Sequence, residues 1–454
     1  MAAYPRERPA AFRPAAFESF RFVSRSIDAG GRVELRYALD DLAFVEEFDL
    51  PIGVNPVDLE RVDGLLALLH WVAGVSYYKT AAPPAVLCES GAPPPAVAAL
   101  LEALYSEGLG EFAFVNGLAE LPRPRFPVGR AWGVEDLGVP REARPVLVPV
   151  GGGKDSIVAL ELVRRSGLAL ALFSVGNARP IARTAEIAGV LRLVARRRLD
   201  PGLGELNRSG ALNGHVPVTA IVACAALLTA ALHGYGAVAM ANERSASSGN
   251  LTFDGVKINH QFSKGWPAER LLRAAVAEVG DSVDVFSVLR PASELAIARA
   301  FARLERYHGA FTSCNAIFRL DPALRSASWC GDCPKCRFVF LVLAPFCDPA
   351  HLAAVFGADL LDAEDQFAGF ALLTATGGSK PFECVGEEEE SLAAMRLVAA
   401  DPRWRDHRVV RRLAAEVLPL YPPEAGSPAA VLALGDEHAV PPVLLEEVRA
   451  LLGA

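Results

Sequence analysis

The sequence predicts an α/β protein with a parallel sheet core over residues 141–345. An α+β region over 1–140 precedes the core, and a mostly helical region over 346–454 follows it. Three observations carry this reading. Buried-strand and helix patterns alternate through 141–345, the sign of βαβ units. A run of glycines separates one of those strands from the helix after it. The 454 residues are 52% hydrophobic and 22% charged, which supports real cores and excludes a disordered or fibrous chain.

The elements follow in order. Arg32 to Leu39 and Leu42 to Leu50 alternate as strands, while Val57–Val72 and Pro95–Glu107 have helical spacing. Pro122-Arg123-Pro124-Arg125-Phe126-Pro127 reads as a linker. Pro145 to Val150 is a buried strand, Ile157, Val158, Leu160 and Leu162 mark a helix that Gly167 stops, and Leu168 to Val175 is the next strand. The longest uncharged apolar run, Val216 to Leu232, is 17 residues and is broken early by Pro217. A turn and a short apolar run, Ala237 to Ala241, come next, so the segment reads as a buried helix before a strand and not as a membrane span. Beyond the core, Glu364–Thr376, Glu388–Ala400 and Trp404–Leu418 read as helices, and the Glu387 to Glu390 run as a solvated helix N-terminus. No apolar targeting segment follows Met1, and the eight cysteines form no disulfide framework, so a reducing cytoplasm is expected.

The sharpest motif is Val146-Leu147-Val148-Pro149-Val150-Gly151-Gly152-Gly153-Lys154-Asp155-Ser156. Glycines let a backbone approach an anion, and the N–H groups and dipole of the following helix favour it. Asp155 after the lysine and Val148 at the first glycine position exclude a Walker A loop. Ser156 stands where a dinucleotide fingerprint needs its third glycine. Gly-Gly-x-Asp-Ser after a strand resembles the pyrophosphate loop of the PP-loop ATPases, with Gly151 replacing the usual first serine. The resemblance implies cleavage of ATP between the α- and β-phosphates and adenylation of an acceptor oxygen. Polar residues at the ends of the next strands are further candidates: Asn177, and then Asn242, Glu243, Arg244 and Ser245 in a loop running to Asn250. The Asn213-Gly214-His215 turn is a weaker one, His215 being equally a helix cap.

Cys330, Cys333 and Cys336 recur at three-residue spacing, and Cys314 offers a fourth thiol. Four thiolates suit a structural tetrahedral zinc; an iron–sulfur cluster or buried free thiols fit the same residues.

Several segments together resemble the UDP-N-acetylmuramoyl-L-alanyl-L-glutamate epimerases over nearly the whole chain. They are the Gly151–Ser156 loop, Asn242-Glu243-Arg244-Ser245, Trp329 to Phe340, and Lys380-Pro381-Phe382-Glu383-Cys384-Val385-Gly386. The resemblance implies a cytoplasmic ATP- and magnesium-dependent isomerase of peptidoglycan synthesis. Such an enzyme inverts the terminal L-Glu of a UDP-muramyl dipeptide to D-Glu, releasing AMP and diphosphate. On that reading Lys154 and the loop hold phosphates and Asp155 orients magnesium. Arg244, Ser245, Lys264 and Lys380 bind substrate, and His260, Lys264, Cys384 and His215 are the candidate proton carriers.

Charge argues against a nucleic-acid surface, since 45 basic against 53 acidic residues give −8, and the resemblance puts a small anionic substrate in its place. The one basic run, Arg196-Arg197-Arg198, reads as a helix end. Rival readings are a PP-loop enzyme adenylating RNA, an ammonia-dependent ligase, and a non-catalytic nucleotide sensor. Only six of the 45 basic residues are lysines (Lys79, Lys154, Lys257, Lys264, Lys335 and Lys380), so a retained lysine marks a place for a compact ammonium.

Overall fold

A computed structural model describes residues 12–53, 59–132, 144–249, 251–279, 283–318, 326, 328–376, 383 and 385–453. Among the described residues no helix is long and apolar enough to cross a membrane.

Eleven strands are described: β1 (Ser19–Ile27), β2 (Arg32–Leu39), β3 (Leu42–Asp49), β4 (Ala85–Cys88), β5 (Val146–Pro149), β6 (Leu170–Val175), β7 (Arg192–Arg198), β8 (Ala237–Met240), β9 (Leu251–Phe253), β10 (Val256–Ile258) and β11 (Asp284–Ser287). Nine form one sheet in the order β11-β8-β5-β6-β7-β3-β2-β1-β4. The five strands from β11 to β7 are all parallel. From β5 the chain runs outward through β6 and β7, then returns to place β8 on the other side of β5. The order therefore reverses between β5 and β8, and the crevice at the carboxyl ends of those two strands is where such sheets bind ligands.

Alternation places the two sheet faces in two cores. Leu147, Phe173, Val238 and Val285 face a core shared with the N-terminal region and the Val218–His233 and Trp266–Glu278 helices. Val148, Leu172, Ala239 and Phe286 face the other core. It is built with the Lys154–Arg165, Glu294–Ala302 and Pro334–Leu343 helices and the C-terminal region. Strands buried on both faces read as continuous apolar runs, as the sequence did.

Most expected elements are present, with shifted ends. The helix expected over Val57–Val72 runs Asp63–Ala73, residues 54–58 lying outside those described. The Glu364–Thr376 stretch is a short α-helix between two 3-10 turns. The helix expected from Trp404 begins at Arg408, because Asp401 instead folds Pro402 to His407 into turns, its carboxylate accepting from the Arg403 N–H at 2.8 Å.

Two expectations are corrected. Arg196-Arg197-Arg198 is not a helix end but the close of β7, and it is what joins the N-terminal strands to the parallel sheet. β3 pairs antiparallel with β7, and its acidic residues meet the arginines. Arg198 bonds Glu47 at 3.0 Å and Asp49 at 2.5 Å, and Arg197 bonds Glu46 at 2.5 Å and Ser76 at 2.9 Å. A basic strand is stable here because an acidic strand lies beside it. The second correction concerns the Glu387 to Glu390 run. It does start a helix, but Glu390 is 2% exposed, and its role belongs to the site below.

Glu46 is fully buried, and burial raises its carboxyl above the usual range while Arg197 opposes the rise. Arg197→Met should cost about 3–5 kcal/mol in urea unfolding, because Glu46 is left buried without its counter-ion. The Glu46→Leu/Arg197→Met double variant should recover most of that loss.

Candidate active site

β5 ends at Pro149, and Gly151, Gly152 and Gly153 turn the chain into the Lys154–Arg165 helix. Gly152 has φ +82°, and a Cβ there would lie 2.8 Å from Pro180, so only glycine fits. Its carbonyl accepts from the Thr312 N–H at 3.0 Å. Gly151 has open space around it, so the structure does not require glycine at the position where the resembled loop has serine. The Ser156 hydroxyl donates back to the Gly153 carbonyl at 2.9 Å and closes the turn. A cleft of about 900 Å³ adjoins the loop, lined among others by Arg179, Arg183, Phe311, Thr312 and Ser328. Asn177 is exposed and accepts from Arg192 at 2.6 Å.

Lys154 does not point its ammonium into the open. It is 1% exposed and ion-paired with both Asp155 and Glu294. Lys335 stands 4.0 Å from the other oxygen of Glu294. Glu390 accepts from the Glu294 N–H at 2.8 Å and from the Glu387 N–H at 2.7 Å. Four helices thus bring their N-termini together, at Lys154, Glu294, Lys335 and Glu390. Helix N-termini favour the carboxylates and disfavour the ammonium groups, so the cations hold their places only because the carboxylates are beside them. Burial opposes charge on Lys154, but Asp155 and Glu294 outweigh it and raise its affinity for the proton. Burial would raise Asp155, yet Lys154, Lys335 and Lys264 hold it below the usual range. Gly386 makes room for Glu390: a Cβ there would overlap the Glu390 carboxylate.

The loop after β8 is pinned by Arg290, itself 1% exposed. Arg290 pairs with Glu269 at 2.8 Å and donates to the carbonyls of Glu243 and Lys264. Asn242 donates to Ser287 at 3.0 Å and is buried. Glu243 and Ser245 are buried as well. Arg244 donates to the Ala433 and Val431 carbonyls at 2.8 and 3.1 Å, so its guanidinium tethers the C-terminal region. Lys264 donates to Gln261 at 3.2 Å.

Beside Lys264 a second cluster gathers from three separated segments. Glu111 bonds Nδ1 of His260 and lies 3.9 Å from Nδ1 of His215. The two imidazole rings stand 4.5 Å apart. Burial pushes His215 down to about 4, with His260 adding to the effect. Glu383, bonded to Asn315, is raised by burial against the opposing charges of His260 and Lys335. Lys380 and Cys384 lie outside the described residues. Glu111 and Glu294 carry no signal in the sequence, where each is one acidic residue among 53; Glu383 stands there only within the resembled segment and Glu390 only within the run read as solvated.

The four cysteines do converge. Cys330 and Cys333 sulfurs lie 3.7 and 3.5 Å from Cys336, and all four with Cys314 lie within 4.8 Å of one another. A tetrahedral ion with bonds of ~2.3 Å sets its thiolates ~3.8 Å apart, so this spacing fits one zinc ion.

These features define an α/β protein with a buried charge cluster at the reversal point of a parallel sheet. Residues 11–288 match the family model described as the MurL N-terminal domain, and residues 310–426 that of the MurL C-terminal domain. Three curated relatives carry the name UDP-N-acetyl-alpha-D-muramoyl-L-alanyl-L-glutamate epimerase. The protein of Micromonospora sp. is 46% identical over 94% of this chain and 96% of its own. That of Salinispora tropica is 48% identical over 87% and 88%. That of Xanthomonas oryzae pv. oryzae is 40% identical over 97% and 99%. The chain belongs to this epimerase family.

The Glu390 carboxyl is pushed up to about 8, by burial and then by Glu294 and Glu387. Between an unfolded value near 4.5 and about 8, the folded state holds a proton that the unfolded chain has lost. This group's contribution to stability therefore falls as pH rises through that window. Glu390→Gln, neutral throughout, should gain roughly 2–4 kcal/mol on the native chain between pH 5 and pH 8. Urea midpoints at the two pH values measure it.

Proposed function

We propose that the chain inverts the terminal L-Glu of UDP-MurNAc-L-Ala-L-Glu to D-Glu through an acyl-adenylate, releasing AMP and diphosphate in peptidoglycan biosynthesis in the cytoplasm. The observation that carries this is identity of 40–48% over nearly full length to proteins named for that substrate. The site chemistry supports it. A free α-carboxylate makes its Cα–H a very weak acid, because deprotonation adds a second negative charge beside the first. Adenylation removes one charge and leaves an ester-like carbonyl, so a side-chain base can take the proton.

The chain's residues divide the work in this reading. The Gly151–Gly153 amides and the N-terminus of the Lys154–Arg165 helix bind phosphate oxygens. Lys154 holds Asp155 and Glu294 in place, and Asp155, the more exposed of the two at 25%, offers a hard oxygen to magnesium. Magnesium bound there would screen the charge of the phosphates. Lys264 binds a substrate carboxylate or phosphate beside the imidazole pair. Asn177, Asn242, Glu243 and Ser245 shape the nucleotide crevice. Cys314, Cys330, Cys333 and Cys336 hold a structural zinc, which fixes Lys335 opposite Glu294.

Incubation with UDP-MurNAc-L-Ala-L-Glu, ATP and Mg²⁺, followed by chiral analysis of the glutamate, should give D-Glu and AMP; persisting L-Glu without AMP removes the reading. Lys154→Arg should lower AMP formation by about 10²-fold or more, because a planar guanidinium does not fit a sealed pocket shaped for a point charge. The purified protein should carry one zinc by elemental analysis, and Cys333→Ser should lose it together with several degrees of Tm.

A further inference from the structure

We infer that Glu111, from the N-terminal region, is the positioning residue for His260, and that His260 is the base that takes the Cα proton. This rests on the function proposed above. Glu111 lies on the Gly110–Val115 helix, and His260 follows β10, so 149 residues separate them. Their side chains are 15% and 12% exposed and bond directly, Glu111 to Nδ1.

The approach is built into the backbone. A Cβ on Gly110 would lie 2.7 Å from Cδ1 of Ile258, two residues before His260, so glycine lets the helix reach the turn. The His215 side is held too. Lys79 donates to Asn213 at 2.5 Å, and Asn116 donates to the Asn213 carbonyl at 2.9 Å. Lys79 and Asn116 both come from the N-terminal region.

A carboxylate on Nδ1 fixes the imidazole tautomer and makes Nε2 the basic nitrogen. The His215 ring lies 4.5 Å away at a tilt and is disfavoured as a cation by burial and by His260. The other charged groups facing the pair are Lys264, whose field reaches both His215 and Asp155, and Glu383, whose field meets His260 and Glu111. Asn259, next to His260, donates to the Ala246 carbonyl at 2.7 Å, so the turn that carries His260 packs on the loop after β8, at the carboxyl end where the strand order reverses. An adenylated carboxyl held in that crevice would put its Cα toward this turn. In the step, the Cα–H bond breaks and N–H forms at Nε2. The electron pair moves onto the adenylated carboxyl oxygen, then back to Cα as a water molecule gives a proton to the opposite face; the hydroxide left takes the proton from Nε2, which restores water and the base.

The test compares the native chain, Glu111→Gln and Glu111→Asp in D₂O with the muramyl dipeptide, ATP and Mg²⁺. The ratio of deuterium wash-in at Cα to AMP release should fall about 10²–10⁴-fold in Glu111→Gln and recover in part in Glu111→Asp. The ascending limb of the wash-in pH profile should move to lower pH in Glu111→Gln, because the carboxylate that favours imidazolium is gone. Equal loss of wash-in and AMP with an unmoved limb makes Glu111 merely structural and overturns the inference; so does an unchanged ratio. An NMR titration of His260 separates this from the parent reading, because it needs no substrate. Its pKa should drop by about one unit in Glu111→Gln. If the native chain makes neither AMP nor D-Glu, the parent reading fails, and with it the role of His260 as base. The titration then still decides whether Glu111 sets the proton affinity of His260, and no drop overturns that part as well.

Discussion

An ammonium buried at the first turn of a helix is the constraint on which the site depends. Lys154 sits where the helix dipole repels it and where water does not reach. It stays charged because Asp155 and Glu294 are both in contact with it. Glu294 in turn is fixed by its own helix start, where the Ser293 hydroxyl accepts from the Ala296 N–H at 3.1 Å. Glu390 holds the Glu294 backbone, and Lys335 offsets its second oxygen. Removing any one partner leaves a charge without compensation in a dry place, which costs more than the pair contributes. The glycine turn after β5, the last parallel strand, the cysteine knuckle and the Glu388–Ala400 helix are therefore locked to one another around Glu294.

The scarcity of lysine gains a physical meaning in this light. Lys154, Lys335 and Lys79 are all buried; Lys154 meets two carboxylates, Lys335 stands beside Glu294, and Lys79 meets an amide oxygen. A compact ammonium suits such places, whereas a guanidinium asks for a planar fork of acceptors. Where the chain does bury an arginine, at Arg290, it supplies that fork: one carboxylate and two backbone carbonyls arranged around the group. Burial also brings Lys79 down to about 8, which fits a residue with one neutral partner, Asn213, in place of a carboxylate.

Local chemistry was legible in the sequence and long-range pairing was not. The glycine turn, the helix after it, the strands flanking it and the cysteine spacing each depend on residues within a few positions, and each is present. Arg196-Arg197-Arg198 was misread because a basic run resembles a helix end until the acidic strand beside it is known. Glu390 was misread for a similar reason. An acidic residue in the first turn of a helix is usually solvated, and only tertiary structure places Glu294 against it. Arg244 looked like an anion ligand, but the Val431 and Ala433 carbonyls lie 187 and 189 residues away in sequence. Glu111 carried no local signal, its meaning residing in His260.

The site is also composite in a way that neither half of the chain anticipates. Lys154, Asp155, Glu111 and His260 lie in the segment matching the N-terminal model, while Lys335, Glu383, Glu390 and the four cysteines lie in the segment matching the C-terminal one. Glu294, which both ammonium groups address, falls between the two segments. Neither segment supplies Glu294: Lys154 has Asp155 beside it within the first segment, and Lys335 faces Glu294 from the second. Glu294 closes both contacts from the helix that follows the last parallel strand, β11. Ordering of the glycine turn after β5 and packing of the C-terminal region are therefore coupled through one carboxylate.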